Sequence, residues 1–380
     1  MDRLRIGFFT EIYRPVVNGV VASIEALAQG LEARGHSTFC FAPHMPGFVE
    51  PDGPVFRMPS LPLPTKTPYR LTLPLVARRN VNNVIKRLSI VHAHSPFVTG
   101  WTGLHYARRY RIPLVFTYHT QLEEYAHYVP FERHATRYAA SQLTRTFGNL
   151  ADAVVVPTAS MARRLREVGV RTRIEIVPSA IDVAWFAAGR RSDTVRASAG
   201  AGPRERLLLC VSRLGKEKNI EVLLAALAGA DPSLRLAIAG DGPDRERLEA
   251  LASELNVMGR TRFLGAQPRE RLPDLYASCD AFCMPSTSET QGLVLVEALA
   301  AGALPIAADV PQSRDVLAAE GTYAKPTADG FARAFQGVEL DPGASARRRA
   351  NGNADRFGID RHVDRMVELY RDLMVCDRIA

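Results

Sequence analysis

The sequence has no apolar run approaching the roughly 18 residues that a membrane-spanning helix needs. Its first 30 residues also lack the basic-then-apolar pattern of an export signal. Cysteine is scarce, with 5 residues, and Cys279 and Cys283 have the wrong spacing for a zinc knuckle. We therefore expect a cytosolic protein whose cysteines are small buried hydrophobes.

Acidic residues are absent from a long part of the first half of the chain. No acidic residue occurs between Asp52 and Glu123, whereas this segment contains ten basic residues. Residues 1–182 hold 22 Lys and Arg against 13 Asp and Glu, and the remainder holds 26 against 27. A field of one sign attracts an anionic surface, such as a membrane or a nucleic acid. A solvated arginine-rich face would have the same composition.

Short apolar runs alternate with helical patterns in both halves of the 380-residue chain. This alternation predicts an α/β protein with two Rossmann-like parallel domains. We place the first domain at residues 1–182 and the second at 183–358. A terminal helix follows at 359–380, and packing back onto the first domain is one option for it. The proline-rich residues 43–73 are predicted to form a loop over one sheet edge, and Gly189 to Arg206 a linker.

The stretch from Ser286 to Gly302 runs from small polar residues through a glycine into an alanine-rich helix. Backbone N–H groups at a helix start attract an anion, so this helix start is predicted to grip a phosphate. Glu289 and Glu297 flank that site and would repel a phosphate, which suits them to sugar hydroxyls. In the alternative, Ser286 and Glu289, or Ser288 and Gln291, form a capping box. The predicted donor contacts here are Thr290, Gln291, Gly292, Leu293 and Val294.

Two further loops of the second half complete a site for a nucleotide diphosphate. Arg213 and Lys218 follow one predicted strand and supply fixed positive charge. Gly240-x-Gly242 follows the next strand and allows close backbone approach. Glu297 is the natural partner of a ribose. All three loops are predicted to lie at strand carboxyl ends, where open α/β sheets bind ligands.

Polar groups also follow the predicted strands of the first half. Asn18-Gly19 makes the first turn of a βαβ unit, and a plain tight turn is the alternative to a phosphate contact there. His92-x-His94 and His119 end two later strands. We expect these histidines to bind a ligand or a neighbouring loop, because no carboxylate or third histidine lies close in sequence to complete a metal site.

Taken together, the motifs resemble those of the retaining GT-B glycosyltransferases of family 4, in the same order and over nearly the whole chain. One departure is Ser179-Ala180, where the family usually has Asn-Gly. The motifs that carry the resemblance are Asn18-Gly19-Val20, His92-x-His94-x-Pro96, Tyr118-His119, Pro178-x-x-Ile181-Asp182, Ser212-Arg213, Lys218-Asn219, Gly240-x-Gly242-Pro243 and Glu289-x7-Glu297.

The resemblance implies two domains that face a central cleft, and transfer of a hexose with retained anomeric configuration. Arg213 and Lys218 would neutralise the leaving diphosphate, Glu289 would accept from sugar hydroxyls, and Glu297 would hold the ribose. His119 would contact the transferred sugar, and Gly19, after Asn18, would approach the diphosphate. The absence of any Asp-x-Asp pair fits a metal-independent enzyme that needs no cofactor besides its nucleotide diphosphate sugar.

Within the family, Tyr118-His119-Thr120 with the following Tyr125 and Tyr128 looks like the bacterial enzymes that glycosylate diacylglycerol or related glycolipids. This implies that Tyr118, Tyr125 and Tyr128 lie on the acceptor side. It also implies a peripheral enzyme on the inner face of the cell membrane that contacts anionic lipid and no nucleic acid. UDP-hexose is the favoured donor. The alternatives are a GDP-mannose donor, a soluble acceptor, a GT-B sugar-nucleotide epimerase and a non-catalytic sugar-nucleotide binder.

Overall fold

The computed structural model describes residues 3–50, 53–62, 70–73, 79–124, 132–341 and 352–376. The contacts within the chain divide it into two compact units. Unit 1 comprises Met1–Ala180 and Ile359–Ala380, and unit 2 comprises Ile181–Gly358. The chain therefore leaves unit 1 after Ala180 and returns to it with its last helix.

Unit 1 is built on a parallel sheet whose order, in its described part, is β3-β2-β1-β6-β7-β8-β9. Its elements are β1 (Arg5–Phe9), α1 (Gly19–Ala33), β2 (Ser37–Pro43), β3 (Val55–Met58), β4 (Ser60–Pro62), β5 (Arg70–Thr72), α2 (Arg79–Ile85), β6 (Ile90–Ala93), α3 (Val98–Tyr110), β7 (Leu114–Thr117), α4 (Arg133–Leu150), β8 (Ala153–Val156), α5 (Ala159–Val168), β9 (Ile174–Ile176) and the C-terminal helix, which is numbered α14 below (Ile359–Cys376). The strands β6, β7 and β8 are buried along their whole length. Such burial is expected of a parallel sheet that is covered on both faces.

The C-terminal helix α14 packs on α1 over one face of this sheet. Val363 and Tyr370 of α14 share an apolar core with Ile24 and Leu27 of α1. The two helices approach closely at Gly30, where an added Cβ would lie 2.5 Å from Val363 Cγ2. The last helix is therefore part of the core of unit 1, although unit 2 separates it from the rest in sequence.

Unit 2 has a second parallel sheet, in the order β12-β11-β10-β13-β14-β15. Its elements are α6 (Val183–Ala187), α7 (Asp193–Ser198), β10 (Arg206–Val211), α8 (Glu221–Ala228), β11 (Leu234–Ala239), α9 (Arg245–Glu254), β12 (Thr261–Gly265), α10 (Leu272–Ser278), β13 (Ala281–Met284), α11 (Leu293–Ala300), β14 (Pro305–Ala308), α12 (Pro311–Leu317), β15 (Thr322–Ala324) and α13 (Ala328–Phe335). The chain order reverses between β10 and β13, which places a topological switch point there. The predicted class, two Rossmann-like parallel α/β domains, is confirmed.

The predicted linker from Gly189 to Arg206 is wrong. This segment belongs to unit 2 and contains α7. Arg196 is 2% exposed and donates to Asp280 Oδ2 at 2.9 Å, while Arg191 donates to Asp280 Oδ1 at 2.8 Å. The polar, arginine-rich sequence suggested a solvated linker, but its arginines neutralise a fully buried carboxylate and attach the segment to the sheet.

The proline-rich residues 43–73 contain strands that the sequence did not predict. Strand β3 pairs in parallel with β2 at the edge of the main sheet, and β4 pairs with β5 as an antiparallel ribbon. Proline is tolerated in such strands because an edge strand leaves some N–H positions outside the ladder. Among the residues that the structure describes, no helix is both long and apolar enough to span a bilayer.

Candidate functional site

Three neighbouring loops of unit 2 carry the predicted donor-binding residues. They follow β10, β11 and β13, and β10 lies between the other two strands in the sheet. Because the strands are parallel, all three loops leave the same edge of the sheet. The structure therefore brings the charged, glycine and glutamate motifs together at the switch point of the sheet.

The glycine loop after β11 is shaped by its contact with the loop after β10. Gly240 has a φ of +136°, and an added Cβ would overlap the Ser212 carbonyl oxygen. A Cβ on Gly242 would likewise overlap the Leu214 carbonyl oxygen. The Leu214 N–H also donates to the Asp241 carbonyl at 2.9 Å. Gly240 and Gly242 therefore let these two loops interlock, which is a structural reason for the motif besides its predicted approach to a phosphate.

Replacing Gly240 by alanine is expected to destabilise the protein by about 3 kcal/mol or more, because it adds a backbone clash at a positive φ. Thermal unfolding of Gly240→Ala measures this loss, and donor binding should weaken with it. Gly259→Ala is the matched control, since a Cβ there meets nothing within 4 Å. The control should stay within about 0.5 kcal/mol of the parent. Equal stability of the two variants would contradict the interlocking of the loops.

Arg213 and Lys218 each contact a carboxylate in this structure. The Lys218 ammonium donates to Glu289 Oε1 at 2.5 Å, and the Arg213 guanidinium donates to Glu217. The Glu217 side chain is only 2% exposed, whereas Arg213 exposes 31% of its side chain. Glu217 is thus a member of the site that the sequence analysis missed. Its spacing of four residues from Arg213 was the available signal.

The loop after β13 is tied to the same turn by its serines. Ser286 and Ser288 each donate from Oγ to the Glu217 carbonyl oxygen at 3.2 Å. The predicted alternative, a capping box that begins at Ser286 or Ser288, is wrong. The N-cap of α11 is Gly292, and no side chain caps this helix. Gly292 has a φ of +77°, which turns the chain into the helix. Thr290 and the buried Gln291 precede it, and Leu293 and Val294 form the first turn, whose N–H groups lack partners within the helix.

The two glutamates of the E-x7-E motif have different environments. Burial alone would raise the pKa of Glu289, but the charge of the Lys218 ammonium and the hydrogen bond that it donates hold that pKa below its ordinary value. Burial raises the pKa of Glu297, although the Tyr276 hydroxyl donates to its Oε2 at 2.8 Å. Glu289 is therefore held as a carboxylate beside a cation. Tyr276 lies 21 residues from Glu297, and the sequence held no signal of their contact.

In unit 1, Asn18 and Gly19 lie at the start of α1. Gly19 is the first residue of the helix, and Asn18 is its N-cap, whose Oδ1 accepts from the Val21 N–H at 2.9 Å. A capped helix start that follows β1 presents N–H groups at the carboxyl edge of the sheet. These residues were predicted to approach the donor diphosphate, and that role stays a prediction.

Three histidines come together at the ends of β6 and β7. His92 is bonded through Nδ1 to the Tyr370 hydroxyl at 2.8 Å and through Nε2 to Thr117 Oγ1 at 2.6 Å. His94 Nδ1 and His119 Nε2 lie 2.8 Å apart. Burial lowers the pKa of His119 to about 3 and holds those of His92 and His94 well below the ordinary range, so all three rings are neutral at neutral pH.

Of the three predicted acceptor-side tyrosines, Tyr118 lies within the described residues. Tyr118 is 2% exposed, and its hydroxyl donates to Glu123 Oε2 at 3.3 Å. Its side chain therefore packs in the core of unit 1. Tyr125 and Tyr128 lie outside the described residues. Within the described ranges, no group of three or more His, Cys, Asp or Glu side chains is arranged to hold a metal ion.

Two family models match the chain, one on each half. The model described as "Glycosyltransferase Family 4" matches residues 17–185, and "Glycosyl transferases group 1" matches residues 192–356. The chain is 33% identical to an alpha-monoglucosyldiacylglycerol synthase of Acholeplasma laidlawii, over 80% of this chain and 79% of that one. It is 30% identical to a GDP-mannose-dependent alpha-mannosyltransferase of Mycolicibacterium smegmatis, over 94% and 92% of the two chains.

The fold is similar to that of a solved sucrose-phosphate synthase from Thermosynechococcus elongatus. The TM-score is 0.80, the sequence identity is 22%, and the match covers 98% of this chain and all of that one. Both the family models and this structural similarity extend across the two units. The likeness therefore includes the three loops of unit 2 as well as the histidine cluster of unit 1.

Proposed function

Since this chain belongs to the family 4 glycosyltransferases of the GT-B fold and is a hexosyltransferase, we propose that it glycosylates a lipid. The donor is a nucleotide diphosphate sugar, with UDP-hexose favoured. The acceptor is diacylglycerol or a glycolipid, and the anomeric configuration is retained. The observation that carries the donor half of this proposal is the charge cluster of Arg213, Lys218 and Glu289 beside the start of α11.

The charge cluster explains how a diphosphate would be accepted. Lys218 and Arg213 are each paired with a carboxylate, so the positive charges are ordered before the donor binds. An arriving diphosphate competes with Glu289 for the Lys218 ammonium, and the N–H groups at the start of α11 add further donors. The displaced Glu289 carboxylate then accepts from hydroxyls of the sugar. Glu297, with Tyr276 as its neighbour, is left to hold the ribose.

The proposed reaction is a substitution at the anomeric carbon. The acceptor oxygen attacks on the face from which the diphosphate departs, and a phosphate oxygen takes the acceptor's proton. Arg213, Lys218 and the helix start stabilise the negative charge that develops on the leaving group. Fixed protein cations therefore supply the electrostatic stabilisation, and the proposal needs neither a metal ion nor a further cofactor.

A lipid acceptor is supported by the similarity to the diacylglycerol enzyme and by one surface of unit 1. We call this surface the apolar rim, and it consists of Leu61, Leu71, Phe97 and Trp101, which are 52%, 45%, 42% and 39% exposed. Leu61 pairs with Leu71 across the β4–β5 ribbon. Glu11 holds this ribbon beside α3, because its carboxylate accepts from the N–H groups of both Thr72 and Thr99.

Basic side chains are frequent in the part of the sequence that carries the apolar rim. Lys86, Arg87, Arg108, Arg109 and Arg111 are all exposed, and the intervening sequence from Asp52 to Glu123 has no acidic residue. A domain with exposed apolar and aromatic residues and an excess of basic ones suits an anionic bilayer, to which each basic residue near the surface contributes about 1 kcal/mol. We therefore propose peripheral attachment to the inner, anionic face of the cell membrane, with no role for nucleic acid.

Removing an apolar rim residue is expected to weaken attachment to anionic vesicles. Phe97→Ser should lower the fraction that sediments with phosphatidylglycerol vesicles by about 10-fold at equal lipid, since it withdraws a phenyl ring from the bilayer. Binding of the parent should also fall steeply as salt increases. Ile176→Ser is the control, because Ile176 is 45% exposed but lies on β9, at the other edge of the sheet. The membrane proposal is lost if vesicles neither bind the parent nor stimulate transfer.

The proposed function is tested with a panel of donors and acceptors. The purified protein is incubated with UDP-glucose, UDP-galactose or GDP-mannose, and with either diacylglycerol vesicles or a water-soluble sugar. Release of nucleotide diphosphate that depends on both a UDP-hexose and the lipid supports the proposal. Turnover of GDP-mannose instead would favour the mannosyltransferase alternative, which the Mycolicibacterium relative supports. Transfer to the soluble sugar alone would exclude the lipid acceptor, and conversion of the donor without any acceptor would indicate an epimerase.

A further inference from the structure

A second histidine, His94, is hydrogen-bonded to His119. His94 directly follows β6 and His119 follows β7, and these two strands are neighbours in the sheet of unit 1. His94 Nδ1 and His119 Nε2 are 2.8 Å apart, and the ring centroids are 5.1 Å apart with the planes 23° from parallel. The two imidazoles therefore lie side by side in nearly one plane and share one hydrogen bond.

His94 is enclosed on its other sides. It is 5% exposed, and the ring centroids of Phe8 and His92 lie 5.3 Å and 4.1 Å from its own. With His119 it lines a small cavity that His362 and Ser179 also border. The remaining nitrogen of His94, Nε2, is buried and has no hydrogen-bond partner among the described residues.

This arrangement decides which nitrogens carry protons. Burial keeps both rings neutral, so the hydrogen bond holds a single proton between His94 Nδ1 and His119 Nε2. If His119 were the donor, His94 would carry its proton on Nε2, as a buried N–H with no partner among the described protein groups. Orphaned buried N–H groups are rarer than under-satisfied acceptors. The favoured state therefore has His94 Nδ1–H donating to His119 Nε2, and it leaves the proton of His119 on Nδ1.

We propose that His94 is a positioning residue, which holds His119 in the orientation and tautomer that donates Nδ1–H to a hydroxyl of the transferred sugar. This inference rests on the proposed function for the identity of the sugar, but the tautomer of His119 does not depend on it. His94 itself does not contact the substrate. Its effect on transfer passes through the bond to His119, in the way that a partner of a metal-bound histidine fixes the ring and its protonated nitrogen.

If His94 positions His119, its replacement should lower kcat and leave the donor KM nearly unchanged. His94→Leu fills the space but cannot donate, and it should lower kcat about 10- to 100-fold while the donor KM stays within about 3-fold. His94→Asn places an amide near the position of Nδ1 and should recover most of kcat. Tyr370→Phe is the matched control, since it also removes one buried 2.8 Å hydrogen bond, that to His92. The control should lower the Tm and leave kcat unchanged.

A measurement without substrate separates this inference from the proposed function. Long-range ¹H–¹⁵N spectra of the ligand-free protein report the histidine tautomers, and His119 is expected to carry its proton on Nδ1 in the parent and in His94→Asn. A proton on Nε2 of His119 in the parent overturns the inference, as does an unchanged kcat in His94→Leu or an equal kcat loss in Tyr370→Phe. If no donor is turned over while the Nδ1 tautomer is present, the proposed function fails and the positioning of His119 by His94 stands.

Discussion

Lys218→Ala is expected to lower kcat/KM for the donor by about 100- to 1,000-fold and to weaken the binding of UDP. The ammonium of Lys218 is the cation that Glu289 holds at the switch point, and a diphosphate there loses one of its two proposed cationic partners when the side chain is removed. The loss should be larger in kcat/KM than in UDP affinity, because the charge on the diphosphate grows as the glycosidic bond breaks. Initial rates and calorimetric titration with UDP measure the two effects.

The matched control for this prediction lies on the same turn. Lys216 is a lysine two residues before Lys218, it is exposed, and both belong to the single turn Lys216–Lys218. Lys216→Ala changes the net charge equally and should alter kcat/KM by less than about 3-fold, since exposed charges are screened. Equal losses in the two variants would mean that the general field of the loop, and not the position of the Lys218 ammonium, is responsible. A normal rate for Lys218→Ala would remove Lys218 from the proposed clamp.

The loops that carry the donor-site residues could be located from the sequence, because the strands of a buried parallel sheet are visible as short apolar runs. The apolar runs that became β10, β11 and β13 are nearly wholly buried, so their ends were visible as the points where polar residues begin. Parallel strands bring their carboxyl ends to one edge, which is why Arg213, Gly240 and Glu289 could be placed together.

The partners of those residues were harder to predict, because they depend on the order of strands in space. Lys218 and Glu289 are 71 residues apart, and they meet only because β10 and β13 are neighbours. The same holds for His94 and His119, which meet because β6 and β7 are neighbours. The side-chain partners in a site of this kind therefore follow from topology, whereas the loops that carry them follow from local patterns.

Two further errors have a common physical cause. Arg196 was assigned to a linker because arginine is rarely buried, yet the fully buried Asp280 compensates its charge. The strands β3, β4 and β5 were missed because their segment is rich in proline, which edge strands tolerate. In both cases a contact distant in sequence outweighed a correct local preference.

Glu289→Ala is expected to reduce transfer by about 100-fold or more while UDP binds as tightly as in the parent, or more tightly. The carboxylate is proposed to accept from hydroxyls of the sugar, which UDP lacks. In the ligand-free protein the Lys218 ammonium donates to Glu289 Oε1 at 2.5 Å, so removal of the carboxylate frees the ammonium for the diphosphate. Hydrogen bonds to a charged group are worth about 1.5–3 kcal/mol each, and two of them account for the expected loss.

The comparison of UDP with UDP-hexose decides what Glu289 does. Calorimetric titration with each ligand is compared between the parent, Glu289→Ala and Glu254→Ala, where Glu254 is an exposed glutamate at the end of α9. Glu289→Ala should lose affinity for UDP-hexose relative to UDP, and Glu254→Ala should change neither. If affinity for UDP falls in parallel with transfer, Glu289 acts by ordering Lys218, and the sugar contact must be assigned to another side chain. A direct sugar contact thus requires an effect that appears only when the hexose is present.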